Sequence, residues 1–149
     1  MLCDQANGAL PGKSREDLCS TGNPDMDSQH MRIFQALLRL DESLRGPFPL
    51  ETLGARLQQL EDHILEHFRD EEILMERTQY PLLLPHRAEH EVMVDRCRQV
   101  VGQFASPDSP PLSDLSEAFI ALFLRHIREV DMDYATFIER ERERDPGKA

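Results

Sequence analysis

Between residues 53 and 74 the side chains Leu53, Leu57, Leu60, Ile64, His67, Glu71 and Leu74 recur at alternating spacings of four and three. That spacing holds one face of an α-helix against neighbours and predicts a bundle helix. Two members of the seam are polar. Burying an imidazole and a carboxylate in such a seam is costly unless they pair or bind a metal. The next stripe repeats the anomaly: after Tyr80-Pro81 and Pro85 it reads His86, His90, Met93, Cys97, Val101, Phe104, so its first two seam positions are histidines. Residues four apart on a helix lie about 40° apart around the axis, one turn above each other. Each polar pair therefore points one way, and two adjacent helices can aim all four groups at one place.

Two more stripes flank these. Asn23-Pro24 reads as an N-cap followed by proline at the first helical position. Met26, His30, Ile33, Leu37, Leu40 and Leu44 follow, and Gly46-Pro47-Phe48-Pro49 ends that helix. Tyr80-Pro81 ends the second, because a residue before proline is pushed out of the α region. A break at Ser106-Pro107-Asp108-Ser109-Pro110-Pro111 separates the third from the last. The last runs Leu115, Phe119, Leu122, His126, Val130, Tyr134, Phe137, then frays into the charged run from Glu139 to Arg144. Four helices with short connections and no strand-like alternation predict an all-α, up-down-up-down four-helix bundle. Its expected extent is residues 23–142, behind a flexible N-terminal arm over 1–22 and before a C-terminal tail over 143–149.

The 28 acidic and 17 basic side chains give a net charge of −11, which repels phosphate backbones and anionic lipid surfaces. Neither nucleic acid nor membrane is an expected partner, and no run is long and apolar enough to span a bilayer. The N-terminus lacks a basic segment followed by an apolar one, so no secretory signal is expected. Cys3, Cys19 and Cys97 are widely spaced without a CxxC pair, against a disulfide framework or thiolate site. Cys97 falls in an apolar register and reads as a small hydrophobe. A reducing, cytoplasmic compartment is expected.

Each predicted helix carries histidine in its seam, and with the carboxylates the candidate metal ligands are His30, His67, Glu71, His86, His90, His126 and Asp131. Seven are too many for one tetrahedral zinc and suit two octahedral ions sharing bridging carboxylates, with one position open. Imidazole with carboxylate favours iron, and spacing alone also admits manganese or zinc. Asp131 follows His126 by five residues, which on an ideal helix places it about 140° away. Either the two groups reach the site from opposite flanks, or a π-bulge near Val130 brings them together.

The chain resembles hemerythrin-like proteins. The resemblance rests on Asp27-Ser28-Gln29-His30, His67-Phe68-x-x-Glu71-Glu72-x-Leu74-Met75, Tyr80-Pro81, His86-x-x-x-His90 and His126-Ile127-x-x-x-Asp131-x-x-Tyr134. It covers roughly residues 20–140. It implies His86, His90 and His126 on one iron, His30 and His67 on the other, and Glu71, Asp131 and a solvent-derived oxo or hydroxo group as bridges. In that family dioxygen binds reversibly at the iron with two histidines, held as hydroperoxide. The implied function is an oxygen carrier, store or delivery protein, not an enzyme. The implied partners are dioxygen and an electron donor or oxygen-consuming protein, with a monomeric chain. The alternatives are a di-iron oxidoreductase acting on peroxide or nitric oxide, and an oxygen- or iron-sensing module. Five imidazoles against two carboxylates favour a carrier over chemistry that cleaves the O–O bond.

Ile33, Phe34, Leu122 and Phe123 flank the ligands at helical spacing and could wall the site, although ordinary core is the favoured reading for them. His63, one turn before His67, reads as a partly exposed or supporting histidine rather than a ligand or proton relay. The absence of Trp and the N-terminal arm with Cys3 and Cys19 depart from the family's pattern.

Overall fold

In the computed structural model, which describes residues 19–103, 112–145 and 147, every regular element is helical. Helix α1 spans Pro24–Arg45, α2 Leu50–Arg77, α3 Leu83–Gln103 and α4 Leu112–His126. A π-helical turn, Ile127–Asp131, carries α4 into α5, Met132–Arg144, so these last three form one rod. Neighbouring pairs are α1–α2, α2–α3, α3–α4 and α4–α1, the square arrangement of an up-down-up-down four-helix bundle.

Local chemistry sets the ends. Asn23 Oδ1 accepts from the N–H groups of Asp25 and Met26, capping α1 before Pro24. Helix α2 stops at Arg77, three residues before Tyr80. Gln79 takes a left-handed φ of 55°, its N–H donates to Glu76 O, and Tyr80 N–H donates to Met75 O. That is a Schellman cap, and buried Tyr80 and Met75 share one apolar cluster across it. Helix α3 begins at Leu83 rather than Pro85. Proline is tolerated there because the first-turn N–H groups have no helical partner. The expected break at 106–111 and the seam residue Phe104 lie outside the described residues.

The seams bury as expected in α1 and α2 except at their last members, Leu44 and Leu74, which are half-buried, and His86, His90, Met93 and Cys97 bury in α3. Phe68 and Met75 join the core of α2, and Val100 is buried rather than Val101. The last rod differs after His126. Ile127, Asp131, Ala135 and Ile138 are buried with Tyr134, whereas Val130 and Phe137 are only half-buried. The π-turn inserts an extra residue and rotates everything beyond it, so a stripe counted on α-helical spacing drifts off the core face. The expected fraying at Glu139 does not occur: α5 stays helical to Arg144, with its charged run exposed.

At the N-terminal side, residues 19–22 pack on the bundle although composition places them in a flexible arm. Asp27 accepts from Ser20 Oγ, from Thr21 N–H and Oγ1, and from Gly22 N–H. Gly22 has φ +87°, a conformation glycine adopts without strain, and the turn buries Cys19 to 1% exposure. Residues 1–18, including Cys3, lie outside the described residues.

Two apolar clusters divide the interior. The larger includes Ile33, Phe34, Phe68, Met93, Cys97, Phe123 and Ile127, and the smaller Met26, Met75, Tyr80, Tyr134 and Ile138. Between them, at the same level on every rod, lie the buried histidines and two carboxylates.

Candidate metal centre

All seven candidate side chains are at most 2% exposed. Helix α1 supplies His30 and α2 supplies His67 and Glu71 one turn apart. The first two turns of α3 supply His86 and His90. The last rod supplies His126 and Asp131 from the two ends of its π-turn. Met132 N–H donates to Ile127 O, five residues back, and the wider turn brings Asp131 Oδ1 to 2.9 Å from His126 Nε2. The bulge expected near Val130 is therefore present. It is what lets a five-residue spacing work.

Every imidazole turns Nε2 inward. His126 and His86 place it 2.9 and 3.1 Å from Asp131 Oδ1, and His30 places it 2.9 Å from Asp131 Oδ2. His86 and His90 each lie 3.1 Å from Glu71 Oε2. His67 Nε2 faces His30 Nε2 at 3.1 Å. The ligand-type atoms thus form two groups: Glu71, His86, His90, His126 and Asp131 in one, His30, His67 and Asp131 in the other. Asp131 belongs to both and gives one oxygen to each. Glu71 joins the three-histidine group through Oε2, and its Oε1 has no hydrogen-bond partner.

Three of the five outward Nδ1 atoms have partners, and those of His86 and His126 are buried without one. His30 Nδ1 lies 3.2 Å from Cys19 O, His67 Nδ1 2.9 Å from Gln29 Oε1, and His90 Nδ1 2.9 Å from Glu72 Oε1. Glu72 in turn accepts from Arg87 Nε at 2.8 Å. Phe68 stacks on the His90 ring at 3.8 Å, and the Phe123 ring lies 6.1 Å from His30. Sequence reasoning gave Gln29, Glu72 and Cys19 no role. The signal for the first two was their place beside His30 and Glu71 within the motifs that carry the family resemblance, and Cys19 offered none. Of the four residues proposed as a wall, Ile33, Phe34 and Phe123 are buried and Leu122 is half-buried. His63 is half-buried, points to no partner among the described residues, and stands outside both groups.

The electrostatics of the metal-free site are those of a proton-loaded ligand set. Burial opposes charge on His86, yet its hydrogen bonds to Asp131 and Glu71 raise its pKa to about 9. Burial likewise opposes charge on His30 and is the largest single influence, but Asp131, Glu71 and Cys19 O together outweigh it, so its pKa rises. Burial pushes His67 down to about 4, keeping that ring neutral. Asp131, despite burial, is held well below the carboxylate range by His126, His30 and His86.

These groups fit cations better than they fit one another. His90 Nε2, His126 Nε2 and both Asp131 oxygens are buried at contact distance but lack an aligned hydrogen bond. His30 Nδ1 and His67 Nδ1 both face carbonyl oxygens that need their protons, so two neutral rings would meet lone pair to lone pair across the 3.1 Å between their Nε2 atoms. Buried polar atoms are normally paired, so convergence of unaligned donors on common points between them is the geometry of ligands.

Fold and site together define a four-helix bundle around a buried, two-lobed histidine–carboxylate cluster with the donor set to hold cations. Residues 21–138 match the family described as "Hemerythrin: Hemerythrin HHE cation binding domain", and the chain belongs to that family. It is 28% identical over 108 residues to the bacteriohemerythrin of Methylococcus capsulatus, covering 72% of this chain and 82% of that protein. The bacteriohemerythrin of Stenotrophomonas maltophilia is 29% identical over 121 residues (80% and 77%), and the myohemerythrin of Sipunculus nudus 28% over 109 (73% and 79%). A crystal structure of wild-type hemerythrin is similar with a TM-score of 0.67 and 26% identity, over 74% of this chain and 84% of that one.

Proposed function

We propose that this chain holds two iron ions and binds dioxygen reversibly. His86, His90 and His126 hold one ion, His30 and His67 the other, and Asp131 and Glu71 bridge them. The observation that carries the reading is Asp131, whose two oxygens face different histidine groups, Oδ1 towards His86 and His126 and Oδ2 towards His30. Glu71 completes the pair if its unpartnered Oε1 serves the two-histidine ion. That ion would then have fewer protein ligands and an open position for dioxygen, and a ferrous pair held there would supply the electrons for reversible binding.

The protein's own part is orientation and exclusion. Cys19 O, Gln29 and Glu72 hold three of the imidazoles with Nε2 inward, a support that ligating histidines depend on. Ile33, Phe68, Phe123 and Ile127 close the site on one side and Met26, Met75 and Tyr134 on the other. Dry walls keep water and stray protons from diverting reduced oxygen. Carriage, storage and delivery are the roles this serves, in the cytoplasm, with an oxygen-consuming protein as partner.

One observation favours a second reading. A groove of about 570 Å3 between α1 and α2 runs past Ser28, Gln29, Arg32 and Asp70 to Glu71. It gives small polar molecules an approach to Glu71, as an oxidoreductase for peroxide or nitric oxide, or a sensor, requires.

Metal stoichiometry tests the assignment. Loaded anaerobically with ferrous iron and desalted, the protein should retain two irons per chain, His67→Ala one, and His90→Ala should weaken the other ion. Wild-type protein that retains one iron or none contradicts it.

A further inference from the structure

The two groups of histidines are supported differently, and the difference runs to the surface. Behind His90 stands a carboxylate, Glu72, itself held by Arg87. Behind His67 stands a neutral amide: Gln29 Oε1 lies 2.9 Å from His67 Nδ1. The other end of that amide is committed as well, because Gln29 Nε2 donates to Asp70 Oδ2 at 3.1 Å. Gln29 on α1 thus spans to α2 twice, and both it and Asp70 line the groove that ends at Glu71.

The chain of donors and acceptors permits one arrangement. A carboxylate only accepts, so Asp70 fixes the NH2 end of the Gln29 amide towards itself. The carbonyl end must then face His67 and can only accept. His67 Nδ1 is therefore the protonated nitrogen and Nε2 carries the lone pair, aimed at His30 Nε2 and Asp131. A group at the mouth of the groove thereby sets the tautomer of a ring that is 1% exposed. Burial, which keeps His67 neutral, leaves the tautomer as the one thing still to be decided.

We infer that Gln29, clamped by Asp70, is the positioning residue for His67: it selects the nitrogen offered to the two-histidine metal, and as a neutral acceptor it holds that metal less electron-rich than a carboxylate would. The inference rests on the two-ion reading above and deepens it. Outer partners of ligating histidines raise their basicity in proportion to their own charge. The amide behind His67 thus favours the reduced ion, the form needed to meet dioxygen, while Glu72 favours the oxidised form on the three-histidine side.

Three proteins test it: wild type, Gln29→Leu, and the double variant Gln29→Glu with Asp70→Asn, which reverses the polarity of the outer hydrogen bond and keeps both bonds. Each is titrated anaerobically with ferrous iron against a competing chelator, and the metal-free forms are unfolded in urea. The leucine variant should bind one of its two irons about 10–100-fold more weakly, with the metal-free protein still unfolding in one cooperative transition. The double variant should recover the second iron. With a carboxylate now behind His67, it should also show a lower reduction potential for the centre than wild type. Wild-type affinity for both irons in the leucine variant overturns the inference alone. So does a double variant that fails to recover the second iron, since Gln29 then acts by packing, or one whose potential is unchanged. A wild-type protein that takes up no iron overturns the two-ion reading and the inference with it.

Discussion

Replacing Asp131 by Asn changes almost no volume and removes one charge from the middle of the site. In the metal-free protein Asp131 is fully buried and contacts His126, His30 and His86 at 2.9, 2.9 and 3.1 Å. Its pKa is driven well below the usual range by those three rings in spite of burial, so the fold favours the charged form. Three close imidazole contacts to one buried charge are weakened together. Relief of repulsion from Glu71 and of desolvation offsets part of that. Breaking a buried pair by removing one partner costs about 3–5 kcal/mol, and a loss near the lower end, about 3 kcal/mol, is expected here. The asparagine also turns an NH2 towards an imidazole nitrogen on one side or the other, so one lobe loses its shared oxygen. Urea unfolding of the metal-free protein measures the first effect, and iron content after anaerobic loading the second. The variant should fall from two irons per chain to one or fewer. A variant that unfolds at the wild-type midpoint and keeps two irons refutes the argument that Asp131 joins the two groups.

Two further outcomes follow from the same geometry. Gln79 holds a left-handed φ of 55° at the end of α2, where glycine is the unstrained choice; Gln79→Gly should stabilise the protein by about 1 kcal/mol in urea unfolding, and a destabilised variant contradicts the cap. His86, with its pKa raised to about 9 by Asp131 and Glu71, carries a proton below that value and loses it above. Metal needs the lone pair, so ferrous loading in weak buffer at about pH 7 should release a proton that a dye records, and the release should fade as the pH rises through about 9. No release at the lower pH contradicts the site.

Six of the seven clustered side chains, all but Asp131, were legible because each is a polar residue in an otherwise apolar register, and a register is a property of the sequence. His67 and Glu71 in the α2 seam, and His86 and His90 in α3, announced themselves that way. The π-turn was legible as one of two alternatives: with Asp131 five residues after His126, either the two groups came from opposite flanks of the helix or a bulge joined them, and the structure has the bulge. What followed the turn was not legible, since Val130 and Phe137 were counted on a spacing the turn itself breaks. The Schellman cap at Gln79 depends on Tyr80 meeting Met75 in the core, so the earlier end of α2 could not be read from Pro81. Docking of Cys19 depends on Asp27 gathering four donors from residues 20–22, a tertiary event with no periodic signature. Gln29 and Glu72 acquire their roles only once α1 lies on α2 and α2 on α3.

The central claim is that two irons in this bundle take up dioxygen and give it back. The direct measurement is the visible spectrum of protein loaded with ferrous iron under nitrogen, exposed to air, then stripped of oxygen under vacuum or argon, through several cycles. The account predicts a charge-transfer band that rises in air and falls on stripping with its amplitude retained. A band that never forms, or that decays to a ferric product no stripping reverses, contradicts it.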